Sequence, residues 1–542
     1  MRILFFIILN FSWFQHLVSQ GNVLRIYEDE YNTLIKDEIQ SKRSHMQHSD
    51  LQPFYQHRLS WDEIQNRKLI RDNYEYYKFN SDSIAFQSRK FLKYFFTHPG
   101  HFYSQYGKHY YFTIDPILNF SAGKEDSRNL IHNMRGFSLK AGIDNKIFIY
   151  SNLYESQIAP YSYVDQYANL YKAIPGAGFV KNYTSSIFNL KNGFDYLIAE
   201  GGLTFRASKH VDISLAHSRN SIGQGIRSLL LSDFSAPQFN LKINTYLGRW
   251  NYQNIFSELS SETRFINDID HLLEKKYSAT HYLSCNISKN WNVGIFESVV
   301  FNRKKSFELQ YLNPIILYRA IEQAVGSPDN VLIGLNSHID ILKKVRIYGQ
   351  VMLDEFVLNK LLKNEGWWAN KYGFQFGLVY PEFIGIKNLF LQMEYNYVRP
   401  YTYSYSDSLA SYSHFHQSLA HPLGSNFHEG IGKINYQFNS KLSFQCNFLL
   451  YKKGLDTDTT NWGGNILKPN SSREQDLGNK TTQGLNSAVR QITFNVSYEL
   501  FPRFWIDLGT GIRINKIESE FNNSKWLQLG LRMNVNKTRF DL

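Results

Sequence analysis

From about Gly107 to its last residues the chain repeats one device: segments of roughly ten residues in which apolar and polar side chains alternate, joined in pairs by short polar turns. Near the C-terminus Ile492, Phe494, Val496, Tyr498 and Leu500 alternate with Thr493, Asn495, Ser497 and Glu499, and later Leu527, Leu529, Leu531 and Met533 alternate with Gln528, Gly530 and Arg532. Period two gives each strand one apolar and one polar face. Strands of soluble sheets usually run to about 5–6 residues, whereas a tilted strand needs roughly 9–11 to cross a bilayer. The length of the segments predicts a transmembrane β-barrel.

The N-terminus agrees. Met1-Arg2 precedes the apolar runs Ile3–Leu9 and Phe11–Val18, which end in Ser19, Gln20 and Gly21, the pattern of a secretory signal peptide over residues 1–20. No cysteine stands at that junction, so a lipid anchor is not expected, and no later stretch has the 18 or more apolar residues of a spanning helix. Export combined with long amphipathic strands predicts the outer membrane of a Gram-negative bacterium.

The mean hydropathy of −0.39 is low for a helical membrane protein but suits a barrel, in which only alternate strand residues meet lipid. Aromatic residues make up 16% of the chain, with 37 Tyr and 41 Phe, enough to furnish girdles at both membrane interfaces. The net charge of +12 is spread through strands and loops without a nucleic-acid motif, so the partners expected are lipopolysaccharide phosphates, acidic surface polysaccharide and outer-membrane lipids. Cys285 and Cys446 occupy apolar slots of alternating strands and read as small lipid-facing hydrophobes.

The chain divides into the signal peptide, a periplasmic, mainly helical region over 21–106 that could equally act as a plug, and a barrel over 107–542. In the helical region, residues 83–97 carry Ile84, Phe86, Phe91, Leu92, Phe95 and Phe96 at helix-compatible spacing. The barrel holds about eighteen strands, from 108–122 to 524–536, an even number that closes without a free edge. Short turns such as Asn439-Ser440-Lys441 are assigned to the periplasm and the long connections, notably 399–426 and 454–488, to the exterior. Three inserts, Tyr161–Ala173, Pro314–Val325 and Glu355–Lys363, have helical character.

Several groupings invite a chemical reading. His414, His416, His421, His428 and Glu429 lie close together, but their spacing fits no zinc pattern, so no metal is expected. Asp354 and Glu355 precede Trp367-Trp368, an acid pair beside a stacking platform, yet tryptophan is also common at membrane interfaces. Gly223-x-Gly225 lacks the third glycine of a nucleotide loop and fits a close backbone approach inside a lumen. Neither catalysis nor a cofactor is expected. Arg319 and Glu322, one helical turn apart, form either an intrahelical ion pair or, with Arg219 and Arg227, a set of guanidinium forks for glycan carboxylates or phosphates. In the long loop 399–426, Tyr401, Tyr403 and Tyr412 are the expected sugar-stacking faces.

Three blocks resemble a known family. Arg219-Asn220-Ser221-Ile222-Gly223-Gln224-Gly225-Ile226-Arg227 with Ala236-Pro237, and Tyr311-Leu312-Asn313-Pro314 with Arg319, Glu322 and Gly334-Leu335-Asn336, are similar to the capsule-assembly Wzi family and its gliding-motility relatives of the RemB type in Bacteroidetes. Arg399-Pro400 with Tyr401, Tyr403 and Leu419-Ala420-His421-Pro422-Leu423-Gly424 resembles the RemB branch in particular. The resemblance implies an eighteen-stranded outer-membrane barrel behind a periplasmic helical bundle. It also implies binding of capsular polysaccharide, or a surface role connected with gliding or polysaccharide-export machinery. A transport pore is the alternative. The inserted helices and the bulky lumen-facing Trp505, Tyr348 and Arg513 predict that such a pore is obstructed.

Overall fold

The computed structural model describes residues 23–24, 34–36, 38–39 and 48–55 and, from 101 to 542, all but 145, 188–189, 304–305, 315–316, 327–328, 502, 539 and 541. The signal peptide and the helix expected over 83–97 lie outside the described residues. Within 21–106, residues 34–36 and 38–39 are helical.

Eighteen long antiparallel strands close into one barrel. They are β1 (Tyr110–Glu125), β2 (Arg128–Ile143), β3 (Ile147–Ala159), β4 (Leu190–Arg206), β5 (Val211–Ser218) and β6 (Gln238–Leu247). Next come β7 (Trp250–Ser260), β8 (Lys275–Ser288), β9 (Trp291–Phe301), β10 (Asn330–Ile341), β11 (Val345–Glu355) and β12 (Lys371–Pro381). The ring is completed by β13 (Leu389–Val398), β14 (Phe427–Gln437), β15 (Leu442–Leu455), β16 (Leu485–Phe501), β17 (Phe504–Ile517) and β18 (Glu520–Met533). β18 returns to β1, Trp526 standing opposite Glu125 and Met533 opposite Leu118, so every long strand has two neighbours and no edge meets lipid. The sheet starts slightly earlier than the sequence suggests, because Tyr103–Tyr106 pairs with the foot of β1.

The predicted alternation is the observed one. On β18, Leu527, Leu529 and Leu531 are 58%, 58% and 42% exposed, while Arg532 is buried against Asp507 of β17. Tyr348 and Arg513 point inward as expected, donating to Glu394 at 2.9 Å and Gln491 at 2.7 Å. Cys285 and Cys446 lie in the outward phase, both as free thiols. A closed antiparallel barrel with an apolar outer belt is an outer-membrane protein. The three helical inserts form α1 (Ser162–Tyr171), α2 (Tyr318–Val325) and α3 (Leu358–Leu362). A short strand, Phe179–Ser185, extends the sheet alongside the outer end of β4. Its polar Lys-Asn-Tyr-Thr-Ser sequence carries no membrane alternation to reveal it.

The lumen is filled on one side. The connection 219–237 between β5 and β6 turns inward, and its Ser221–Ile222 pairs with Leu51–Gln52 from the N-terminal region. Leu51, Ile222 and Leu229–Leu231 pack with Tyr282, Phe296 and Met352 of the wall and with Tyr403, Tyr412 and Leu419 of the 399–426 connection. Assigning 399–426 wholly to the exterior is thus corrected: its apolar residues complete a core within the barrel mouth. Gly223 and Gly225 serve the close approach, since a Cβ would meet Gln350 Nε2 at 2.3 Å and Arg227 O at 2.3 Å respectively. Below this core, Arg346 is fully buried, with Nε on Asp340 at 2.6 Å and Nη1 on Glu38 at 3.1 Å and on Gln224 at 3.2 Å. Asp50 meets His338 at 3.1 Å.

The same side is covered on its outside. The insert between β9 and β10 lays Tyr311, Tyr318 and Ile321 over outward-facing Phe256, Tyr277 and Phe301. Asn254, His281 and Glu297, cross-strand neighbours on β7, β8 and β9, form a polar row in the lipid-facing phase that α2 covers. Glu297 accepts the backbone N–H of Arg319 at 3.3 Å, pinning the start of α2 to the wall, and the Tyr252 hydroxyl donates to the Pro314 carbonyl.

Candidate functional site

The arginines singled out in sequence are not gathered into one site. Arg219 Nε donates to Glu200 at 2.8 Å, and Arg227 Nη2 donates to Glu429 at 3.2 Å. Arg319 pairs with Glu322 at 2.6 Å on α2, with its side chain 61% exposed on the outside of the wall. The Arg319–Glu322 contact is the intrahelical pair.

Tyr401, Tyr403 and Tyr412 are at most 1% exposed. Their hydroxyls donate to the carbonyls of Asn461 at 2.9 Å, Leu229 at 2.7 Å and Leu230 at 2.8 Å. The reading of these rings as open sugar platforms is therefore corrected, because they fasten the inward loops to each other. His421 works the same way. Its Nδ1 accepts from the Leu423 N–H at 3.1 Å, so Nε2 carries the proton given to Glu429 at 2.8 Å, and burial holds the ring below its ordinary pKa. His414 accepts from Ser260 N at 2.9 Å, and His416 reaches the Tyr171 carbonyl at 2.9 Å. Among the described residues no group of His, Cys, Asp and Glu is arranged to hold a metal ion. Asp354 receives the Tyr403 N–H at 2.8 Å, and Trp368 is stacked by Arg473 at 4.1 Å, so the acid pair and the tryptophans serve loop packing.

Aromatic faces remain part-exposed elsewhere in the mouth. Tyr163, Tyr167 and Tyr171 recur every fourth residue along α1 and form one ridge, while Val164 and Ala168 turn into the core. Glu125 at the top of β1 accepts Ser162 N at 2.6 Å, and its carboxylate suits the positive end of the helix. Arg128 of β2 holds Asp165 at 3.0 Å, and the Tyr161 hydroxyl donates to Gln528 at 2.8 Å. These contacts fix the ridge over the seam between β18 and β1. Tyr163 lies beneath the Arg513 guanidinium at 4.2 Å and beside Trp526 at 6.4 Å; Tyr167 stands 4.6 Å from Tyr171 and 6.1 Å from Phe234. Enclosure raises the Tyr167 and Tyr171 hydroxyls above their ordinary pKa, so both stay protonated donors. A ladder of part-exposed rings is able to stack on sugar rings. The four-residue Tyr spacing is visible in the sequence, where the denser tyrosines of 399–426 outweigh it.

No family model matches the chain, and no curated protein matches it in sequence. The fold is similar to that of Wzi of Escherichia coli, an outer-membrane protein involved in group 1 capsule assembly and a carbohydrate-binding β-barrel, with TM-score 0.54 and 10% identity over 96% of this chain and all of that one. OprD of Pseudomonas aeruginosa gives TM-score 0.43 at 9% identity over 78% of this chain and 94% of that one, and OccAB2 of Acinetobacter baumannii 0.41 at 10% over 78% and 97%. At such identities the likeness is one of fold.

Proposed function

We propose that this outer-membrane barrel binds surface polysaccharide at its outer mouth and catalyses no reaction. The observation that carries the reading is the tyrosine ridge of α1, fixed rigidly over the seam with Arg513 and Trp526 beside it. Rigid aromatic faces bind with little loss of side-chain freedom, and the buried Arg513 guanidinium holds the Tyr163 ring in place. Sharing its fold with a carbohydrate-binding barrel supports the reading, and the resemblance of 399–424 to RemB-type proteins makes a Bacteroidetes cell surface, with adhesion or gliding as the setting, the finer form of it. On this proposal the chain comprises an export signal, an N-terminal region whose residues 48–52 reach into the lumen as a plug would, and the barrel. The test is binding of purified barrel to an array of acidic and neutral bacterial polysaccharides. Tyr163→Ala with Tyr167→Ala is expected to cut binding at least tenfold while the heat-modifiable gel shift of the folded barrel persists. Undiminished binding by that double variant would sink the assignment.

A second reading, a narrow transport pore, rests on the half-buried polar strip of Asn447, Thr493, Asn495 and Gln528 along the inner face of β15–β18. Single-channel conductance in planar bilayers separates the two: steady ion current through wild-type barrels favours transport.

A further inference from the structure

The outer surface carries a charge pattern that glycan binding at the mouth does not use. On five consecutive strands across the seam, the first outward residue beyond the apolar belt is basic: Lys452 on β15, Arg490 on β16, Lys516 on β17, Lys525 on β18 and Lys124 on β1. All five are exposed. The outward phase follows from register, since Lys525 stands opposite Ile512, Arg490 opposite Ile514 and Lys124 opposite Leu527, each partner lying in the lipid-facing set. Neighbouring strands are about 4.8 Å apart and successive cations are offset by roughly two to four residues along them, so the side chains form a basic band across the wall.

The row is little neutralised. The nearby turn acids Asp126 and Glu518 are engaged by backbone N–H groups, of Lys525 at 3.3 Å and Asn486 at 2.7 Å. The covered wall differs. There the outward charge past the belt on β7, Glu258, is paired with Lys275 of β8 at 2.8 Å. Over β17, β18 and β1 no insert roofs the basic row, since β1 and β2, and β17 and β18, are joined at the outer end by two-residue turns, 126–127 and 518–519.

We propose that this uncovered wall seats a phosphorylated glycolipid of the outer leaflet. Its acyl chains lie along outward residues such as Leu529, Leu508 and Phe120, and its phosphates lie on the basic row. A cation one step above the apolar belt sits at the depth of headgroup phosphates, and long Lys and Arg stems reach there while their methylenes stay in the apolar layer. A soluble acidic polymer would meet charge on the loops above, so the depth selects a lipid. The assignment is independent of the tyrosine ridge.

The experiment uses full-length barrel stripped of lipid, reconstituted with diphosphorylated lipid A or with the same lipid A dephosphorylated, and reads glycolipid retained per barrel by native mass spectrometry. Wild type is expected to retain the phosphorylated form at least tenfold better, with the preference falling as salt rises from low to high. Replacing Lys124, Arg490, Lys516 and Lys525 together by Gln should abolish the preference while the heat-modifiable shift remains. Equal retention of the two lipids by wild type overturns the proposal, and that arm needs no variant to fold. Displacement of the lipid by a soluble acidic polysaccharide also overturns it, because the row would then be a glycan surface.

Discussion

The two walls of this barrel solve the membrane problem in opposite ways. From β6 to β12 the wall is thick: its inner face packs on the loop core around Leu229–Leu231 and Tyr403, and its outer face on β7–β9 is covered by the α2 insert. From β15 through the seam to β2 the wall is thin, with half-buried polar groups within and bare apolar belt without. On the thick wall outward polar groups such as His281 and Glu297 are tolerated because protein shields them. The thin wall keeps most of its outward charges at the rim, where water and headgroups supply the missing partners, and pairs the one opposite Leu118, Arg135, with Glu155 at 2.8 Å. Where a strand's outer face is covered, alternation stops being obligatory, and the sequence shows it.

The comparison breaks most readily at Arg346. Arg346→Ala leaves Asp340 and Glu38 without their cation inside the filled half, and a loss of about 3–5 kcal/mol is expected, read as a lower denaturant midpoint for the heat-modifiable form. If Arg532→Ala, which removes the 2.8 Å contact to Asp507 on the thin half, costs as much, the halves do not differ in dependence on buried charge. Next comes Leu529→Arg on the bare belt, expected to cost about 2–4 kcal/mol of folded barrel, whereas Gln528→Arg, one residue along and facing inward, should assemble nearly normally. Equal yields would put the inside and outside phases in error.

Acid should act on the loop core of the filled half. His414 is buried beside Lys276, which donates to Ser411 O at 2.8 Å and Ser413 Oγ at 3.0 Å, and desolvation lowers its pKa to about 3. A depressed histidine favours the folded loop fully above its unfolded pKa of 6.5, and that contribution is lost as pH falls from 6.5 toward 3, by at most about 1.4 kcal/mol per unit. Protease cutting within 399–426 should therefore rise between pH 7 and 5, and His414→Gln should flatten the profile. The smallest effect is at α2. Glu297→Ala removes the acceptor at the helix start, about 1.5 kcal/mol, and should make 302–329 protease-sensitive in an intact barrel, while Arg319→Ala leaves it seated.

The strands were legible because lipid enforces alternation: Leu527, Leu529 and Leu531 could face only one way. The helices were legible from their spacing, Pro314–Val325 resolving into Tyr318–Val325. What the sequence hid was the direction of the loops. A Tyr- and Ser-rich connection reads as exterior, yet Tyr403 and Tyr412 can be buried because their hydroxyls find carbonyls on another inward loop, a pairing 174 and 182 residues away in the chain. Likewise Arg219, Arg227 and Arg319 share a residue type but meet three different carboxylates on three different elements, which spacing alone does not reveal.

The two-residue turns at 126–127 and 518–519 make the rim of the barrel low on one side, directly beside the ridge of α1. The mouth thus has a notch, and approach to it is directional. A polymer strand lying flat along the cell surface can slide over the notch onto Tyr163 and Tyr167, while one arriving from the opposite quarter meets the inserts first. Rotation of the barrel in the plane of the membrane would then decide which neighbouring chains it engages, giving a cylindrical protein a front and a back.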